Sequence, residues 1–327
     1  MINNFLNKRY STRNLSDSDF EKLLPLLAQE LTTVNYIPQY SDEILLKDWN
    51  ELKKWNAIGT SINSTSRIGI KLCEHFMPNF YEIENNKKES FAKYWKDISI
   101  LTKVLKWNRK SHSTPYLSEL KRGIYFVTKL PKSTMYRPQM SKLITRGAEY
   151  VLDPCAGWGG RMLGSVANNA HYIAFEPNKA TYDNLQRMIA FLGIEHKTTI
   201  INDDALNIDN YNIPSVDIVL TSPPYFDLEV YCKESSQSIT NRSTYKEWND
   251  NFLYPLIQKF ASKLKANGRS CWNVAKVGKN DMWKSVDDAH TDIGFSKTIV
   301  YENKSSARPT TKSSKKSSDM TVCYEKP

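Results

Sequence analysis

The sequence predicts an α/β fold with a mostly parallel sheet, and three observations carry that prediction. From Glu149 onward, short apolar runs alternate with helical patterns. The runs are "EYVLDP", "HYIAFEP", "TTIINDD" and "VDIVLTSPP", with "RMLGSVANN" and "NKATYDNLQRMIAFLG" between the earlier ones. The second helical stretch has its own stop signals: Asn178 stands where a cap is needed and Gly193 where a left-handed terminus is. Finally, residues 1–134 lack this alternation and read as mostly helical.

The later elements follow in order. "YKEWNDNFLYPLIQKFASKLKANG" is helical, with Pro255 starting a new segment or kinking the helix. "RSCWNVAKV", "FSKTIVYE" and "MTVCYEK" complete a set of seven predicted strands. The last two have no helical pattern between them, so they are expected to form an antiparallel hairpin at one edge of the sheet. Within 1–134, "FEKLLPLLAQEL", "DEILLKDWNELKKW" and "ESFAKYWKDISILTKVLKW" repeat apolar residues at helical spacing, with Ile44, Leu45, Trp49, Leu52 and Trp55 in the second. The "STSR" around Ser64 and the pair Asn85-Asn86 read as loops. The aromatic residues of this region are expected to be core. The chain thus divides into a helical region, 1–134, with target recognition as a candidate role, and an α/β domain, 135–327.

A hydrophobic content of 40% and a charged content of 24% over 327 residues describe a chain able to bury a large core. The net charge is +10 and the pI about 9.1, which favours polyanionic partners, nucleic acid first. "NKSSARPTTKSSKKSS" concentrates this excess with no acid among its cations. The five cysteines form no CxxC and no Cys–His cluster. Neither a structural metal nor a disulfide framework is expected, and the thiols are expected to be reduced and mostly buried. Without a signal-peptide pattern or a long apolar run, a soluble, cytoplasmic protein is expected, with no membrane association.

The chemistry-bearing residues gather at strand ends. Open α/β sheets bind ligands at the carboxyl ends of their strands. The first predicted strand ends in "DPCAGWGGR", where Gly157, Gly159 and Gly160 let backbone approach a ligand. The pattern is neither GxGxxG nor a P-loop. The second strand ends in "FEP", where Glu176 is placed to accept from a ribose diol. The third ends in Asn202-Asp203-Asp204-Ala205, where a carboxylate can accept from an exocyclic adenine amine. Each acid could instead be a solvated strand end or a helix cap. With Asp153, three acids at three successive strand ends beside a glycine turn describe an adenosine-shaped pocket without a phosphate grip.

These residues resemble a known family, the S-adenosylmethionine-dependent DNA amino-methyltransferases that modify N4 of cytosine or N6 of adenine. "DPCAGWGGR" is similar to the family's first motif, although Trp158 and Gly160 depart from its commonest forms. "TSPPY" is similar to its catalytic motif, and "MYRPQMSKLI", which holds Arg137, to the segment that folds over the methionine end of the cofactor. The resemblance covers Met135 to Pro327. It implies a Rossmann-like class I methyltransferase sheet with S-adenosylmethionine as cofactor and no metal. It also implies cofactor contacts from Arg137, Asp153, Cys155, Ala156, Gly157, Gly159, Glu176, Pro177, Asp204, Ala205 and Thr221, and catalysis by Ser222, Pro223, Pro224 and Tyr225.

The catalytic motif has a physical rationale. The lone pair of an exocyclic amine is delocalised into its ring. Hydrogen bonds from the amine to the Ser222 hydroxyl and the Pro223 carbonyl favour a tetrahedral, nucleophilic nitrogen and stabilise the charge developing on it. The two prolines hold those acceptors in place. Tyr225 is placed to stack on a base flipped out of the duplex. Methylation at cytosine C5 would need a thiolate at this strand end, and the chain offers Ser222 there; Cys155 follows the first strand and reads as a packed side chain. Within the resembled family, serine before Pro-Pro leans towards cytosine N4 over adenine N6. DNA, with its base flipped, is the expected partner, in a solitary enzyme or in a restriction-modification or viral protection system. RNA amino methylation, or an inactive nucleic-acid-binding subunit, are the alternatives. A dehydrogenase is disfavoured by the absence of GxGxxG. The polar stretch "KESSQSITNRSTYKEW" and the basic segment are candidate nucleic-acid contacts.

Overall fold

The structure is a computed structural model that describes residues 12–56, 58–63, 65–84, 88–111, 114–131, 133–226, 238, 242–277, 280–304 and 320–327. Ser64, Asn85-Asn86, half of the polar stretch after Tyr231 and nearly all of the basic segment lie outside these residues. The chain forms two compact units. One is built mainly from 12–38 and 78–134, the other from Gln39–Met77 and the chain after Met135.

The first unit is helical. Phe20, Leu24, Leu27 and Leu31 on Asp17–Leu31 pack with Phe91, Trp95, Leu101, Val104, Leu105, Leu120 and Ile124. Several aromatic residues here are core: Phe91 and Trp95 are fully buried and stacked at 5.7 Å, and Phe20 and Tyr81 are buried, whereas Phe126 is 53% exposed. The third helical stretch of the sequence is two helices, Phe91–Lys96 and Ile98–Lys110. Asp97 separates them, ending the first and capping the second through its carboxylate, which accepts from the Ser99 and Ile100 N–H groups.

The second unit holds the sheet. Its strands are β1 (Ser61–Asn63), β2 (Tyr150–Asp153), β3 (His171–Phe175), β4 (Thr198–Ile201), β5 (Val216–Thr221), β6 (Leu264–Val274), a two-residue ribbon β7 (Lys276–Val277) and β8 (Asn280–Asp281), β9 (Ser296–Lys304) and β10 (Met320–Glu325). The main sheet runs β1-β9-β10-β6-β5-β2-β3-β4. Only β10 is antiparallel to its neighbours. The chain winds outward from β2 to β4, then returns to β5 beside β2, so the topological switch lies between β2 and β5. This is the class I methyltransferase arrangement, Rossmann-like in its parallel half.

Side chains alternate across the sheet as the pleat requires. Val151, Tyr172, Ala174, Ile218 and Leu220 face a core with helices Pro138–Ile144, Gly160–Val166 and Lys179–Leu192. Leu152, Ile173, Phe175, Val219 and Trp272 face another core with helices Tyr254–Ser262 and Met282–Asp292. Asn178 caps Lys179–Leu192 through a bond from the Thr181 N–H, and Gly193 ends it at φ +64°. Near Pro255 the helical stretch changes from a π turn over Asn249–Leu253 to an α-helix.

Four expectations need correcting. The sheet has eight strands, not seven, because β1 from the N-terminal region pairs in parallel with β9. Consequently β9 and β10 are not an edge hairpin: β10 lies between β6 and β9, and β1 covers the outer side of β9. A three-residue strand is too short to show a period. The region 1–134 is also not a single unit, since 39–77 belongs with the sheet. Leu45, Trp49 and Leu52 of the helix Asp42–Lys54 are buried in the core beneath the sheet. The buried ammonium of Lys142 anchors that helix by donating to the Leu52 and Lys53 carbonyls (2.9 and 2.6 Å). Finally, Cys271 and Cys323 form a disulfide, which the expectation of reduced thiols missed; they stand directly opposite each other on β6 and β10, a register invisible across 52 residues of sequence. No described helix is long and apolar enough to cross a membrane.

Candidate active site

The glycine turn after β2 is built around a buried ion pair. Asp153, at the end of β2, is fully buried. Its carboxylate accepts from Arg161 Nε (2.6 Å), the Tyr172 hydroxyl (2.6 Å) and the Cys155 N–H (2.9 Å). Arg161 also donates to the Cys155 carbonyl, and its guanidinium lies over the Tyr136 ring at 5.2 Å. Asp153 therefore holds the shape of the turn from inside. Neither Arg161 nor Tyr172 stood out in the sequence. The only signal for Arg161 was its place at the end of "DPCAGWGGR".

The glycines answer separate steric demands. Gly157 and Gly159 sit at φ +55° and +80°. A Cβ on Gly160 would lie 2.1 Å from the Tyr136 carbonyl oxygen, so the segment before Pro138 closes directly over the turn. The Gly157 N–H donates to Glu176 Oε2 (2.9 Å), and the Asn178 N–H to the other oxygen (3.0 Å). Burial pushes the Glu176 pKa up to about 7, against the pull of these two N–H groups. A carboxylate offers about four acceptor positions, so these bonds leave room for two more.

The other predicted residues fall as follows. Ala156 is buried, its N–H bonded to the Phe175 carbonyl, which ties the turn to the end of β3. Pro177 follows Glu176, and its carbonyl accepts from Asn202. Asp204 caps the 3-10 turn Ala205–Asn210 by accepting from the Leu206 N–H, and Ala205 is buried. Asp203 is engaged by Asn207 and Tyr211. Burial and the Asp153 charge push the Cys155 thiol pKa up, the opposite of a nucleophilic cysteine. Arg137 donates to the Ser66 carbonyl (3.0 Å) after β1.

Beside this turn, β5 ends in Thr221-Ser222-Pro223-Pro224-Tyr225. Pairing of Val151 with Ile218 and Leu152 with Val219 sets the ends of β2 and β5 side by side, at the switch point. Thr221 is fully buried. The Phe226 N–H closes a tight turn onto the Pro224 carbonyl (3.2 Å), and Phe226 takes the left-handed φ of +39°. Its ring packs near Tyr245 and Trp248, which anchors the exit from the motif. Ser222 Oγ is 3.3 Å from Asn273 Oδ1 on β6, a partner the sequence did not reveal.

No protein-family model and no curated protein matches the chain. Among solved structures, the chain is similar to TrmN from Thermus thermophilus, at 15% sequence identity, with 58% of this chain and 49% of that one covered and a TM-score of 0.42. It is similar to a SAM-dependent O-methyltransferase from Thermotoga maritima at 12% identity, covering 61% and 69%, TM-score 0.40. An rRNA methylase from Streptococcus thermophilus is similar at 16% identity, covering 59% and 99%, TM-score 0.37. The match spans about half the length of TrmN. The fold assignment rests on the strand order itself.

Proposed function

We propose that this protein is an S-adenosylmethionine-dependent amino-methyltransferase acting on DNA, with N4 of cytosine favoured over N6 of adenine. The observation that carries the reading is the juxtaposition at the switch point: the glycine turn with Glu176 on one side, and Ser222-Pro223-Pro224-Tyr225 at the end of the adjacent strand. The site suits an adenosine-type ligand. Gly157 leaves its turn free of a side chain, and Glu176 keeps acceptor positions for a ribose diol.

S-adenosylmethionine, when bound, supplies an electrophilic methyl group on a sulfonium. The chain's own residues prepare the nucleophile. The Ser222 hydroxyl and the Pro223 carbonyl accept hydrogen bonds from the two N–H groups of the target amine and turn its lone pair out of the ring plane. Tyr225 stacks on the base. The two prolines and the Phe226 turn fix these groups before the substrate arrives. A net charge of +10 favours a polyanionic substrate. The helical region, the stretch after Tyr231 and the basic segment are the candidates for reading it.

The test is transfer of tritiated methyl from S-adenosylmethionine to unmodified duplex DNA and to total RNA, followed by nucleoside mass spectrometry. The reading predicts N4-methylcytosine or N6-methyladenine in DNA, lost in Ser222→Ala/Tyr225→Ala. Label in RNA alone would move the substrate to RNA. Cofactor binding without transfer to either would point to a supporting subunit.

A further inference from the structure

Ser222 does not stand alone behind its amine-binding role. Asn273, on β6 and only 4% exposed, faces it across the strand pair. The orientation of the Asn273 amide follows from its other side. Asn273 Nδ2 lies 3.1 Å from the Met320 carbonyl oxygen and 3.3 Å from Thr321 Oγ1. A backbone carbonyl only accepts, so the amide NH2 must face Met320 and Oδ1 must face Ser222. A carboxamide oxygen also only accepts. The Ser222 hydroxyl is therefore the donor in its bond to Asn273.

A hydroxyl has one proton and two lone pairs. With the proton committed to Asn273, the lone pairs of Ser222 are left for an incoming amine. The chain of bonds continues to the other half of the site. Thr321 Oγ1 is 3.1 Å from the Tyr136 hydroxyl, and Tyr136 is the residue whose ring lies under Arg161 and whose carbonyl abuts Gly160. Asn273 and Thr321 are directly opposed in the β6–β10 register, two residues from the Cys271–Cys323 disulfide. The support for Ser222 is thus built into regular sheet.

We propose that Asn273 is a positioning residue that, with Thr321 behind it, fixes the Ser222 hydroxyl as a hydrogen-bond acceptor for the target amine. This rests on the amino-methyltransferase reading and adds to it a division of labour: Asn273 accepts the hydrogen bond that Ser222 donates, and Ser222 accepts the hydrogen bond that the substrate amine donates. Loss of Asn273 frees the hydroxyl to rotate and to present its proton, which repels an amine N–H.

The test is a double-mutant cycle. Asn273→Ala and Thr321→Val are compared with Ser222→Ala by single-turnover transfer from tritiated S-adenosylmethionine to duplex DNA and total RNA, with cofactor Kd and thermal unfolding measured on each variant. The expected result is roughly a tenfold or greater slowing by Asn273→Ala, the scale of one well-placed hydrogen bond, with cofactor Kd unchanged. In the Ser222→Ala background the same substitution should add no further slowing. Thr321→Val, nearly isosteric, should give a smaller loss with the same dependence on Ser222. Equal slowing with and without Ser222, or none, would overturn the inference. A second readout does not need activity: crystal structures should show one Ser222 rotamer in the wild type and several in Asn273→Ala. An unchanged single rotamer in the variant would overturn the inference, whereas absence of transfer by the wild type would count against the amino-methyltransferase reading alone.

Discussion

Two titratable residues set opposite pH dependences. Glu176 has a folded pKa of about 7 against an ordinary 4.5, raised chiefly by burial. The folded state holds its proton more tightly, so its contribution to stability is full below 4.5 and is lost as pH rises through 7. Under the proposed function, cofactor binding runs the other way, because an ionised Glu176 would be the better acceptor for ribose hydroxyls. S-adenosylmethionine affinity, measured by calorimetry, should rise as pH increases through about 7, and Glu176→Gln should flatten that rise. His290 has a folded pKa of about 4 against an ordinary 6.5, lowered chiefly by burial. Its ring lies 2.7 Å from the Val286 carbonyl and 2.8 Å from Ser270 Oγ, and stacks on Tyr324 at 4.0 Å. Because the unfolded chain binds this proton more readily, stability should be full above pH 6.5 and fall as pH drops through 4, by about 3 kcal/mol. Thermal unfolding against pH checks this, and His290→Gln should reduce the slope.

The Asp153–Arg161 pair belongs to the same scale. Arg161→Met would leave a buried carboxylate with only Tyr172 and the Cys155 N–H, at a cost of about 3 kcal/mol. Adding Asp153→Asn should recover part of that loss in denaturant titrations. These partners were not legible in the sequence, because Arg161, Tyr172, Asn273 and Thr321 are ordinary residues in ordinary helices and strands. Their roles come from register and strand order, which bring residues 48 to 185 positions apart into one hydrogen-bonded chain.

At the level of elements, the helix crossing over the glycine turn is the least forgiving contact. A Cβ on Gly164 would lie 2.2 Å from the Pro138 carbonyl oxygen and 2.6 Å from the Lys142 N–H nitrogen. Backbone atoms cannot step aside as a side chain would. Gly164→Ala should therefore lower stability by roughly 1–3 kcal/mol or more, and the displaced Pro138–Ile144 helix should weaken cofactor binding with it. The elements themselves were largely readable. All seven predicted strands are present, and Asn178 and Gly193 bound their helix as their chemistry requires. What escaped was short or non-local. The three residues of β1 carry no period, Asp97 interrupts a helical pattern that is continuous in apolar spacing, and Cys271 meets Cys323 only once β10 is inserted beside β6.

For the molecule as a whole, topology does the work that no single motif does. The return of the chain from β4 to β5 sets "DPCAGWGGR" beside "TSPPY", and insertion of β10 places Thr321 behind Asn273. The sequence shows the strand ends and their acids, so the place of the candidate site in the sheet was legible. The inclusion of 39–77 in the sheet unit was not, since its helices read like those of the other unit. The central claim is that the glycine turn and the Pro-Pro strand end are two halves of one methyl-transfer site. Its most direct test is a crystal structure with S-adenosylmethionine bound. The account predicts ribose hydroxyls on Glu176 and the sulfonium methyl directed at the space in front of Ser222 Oγ and the Pro223 carbonyl. A cofactor bound elsewhere, or with its methyl turned away from Ser222, would contradict it.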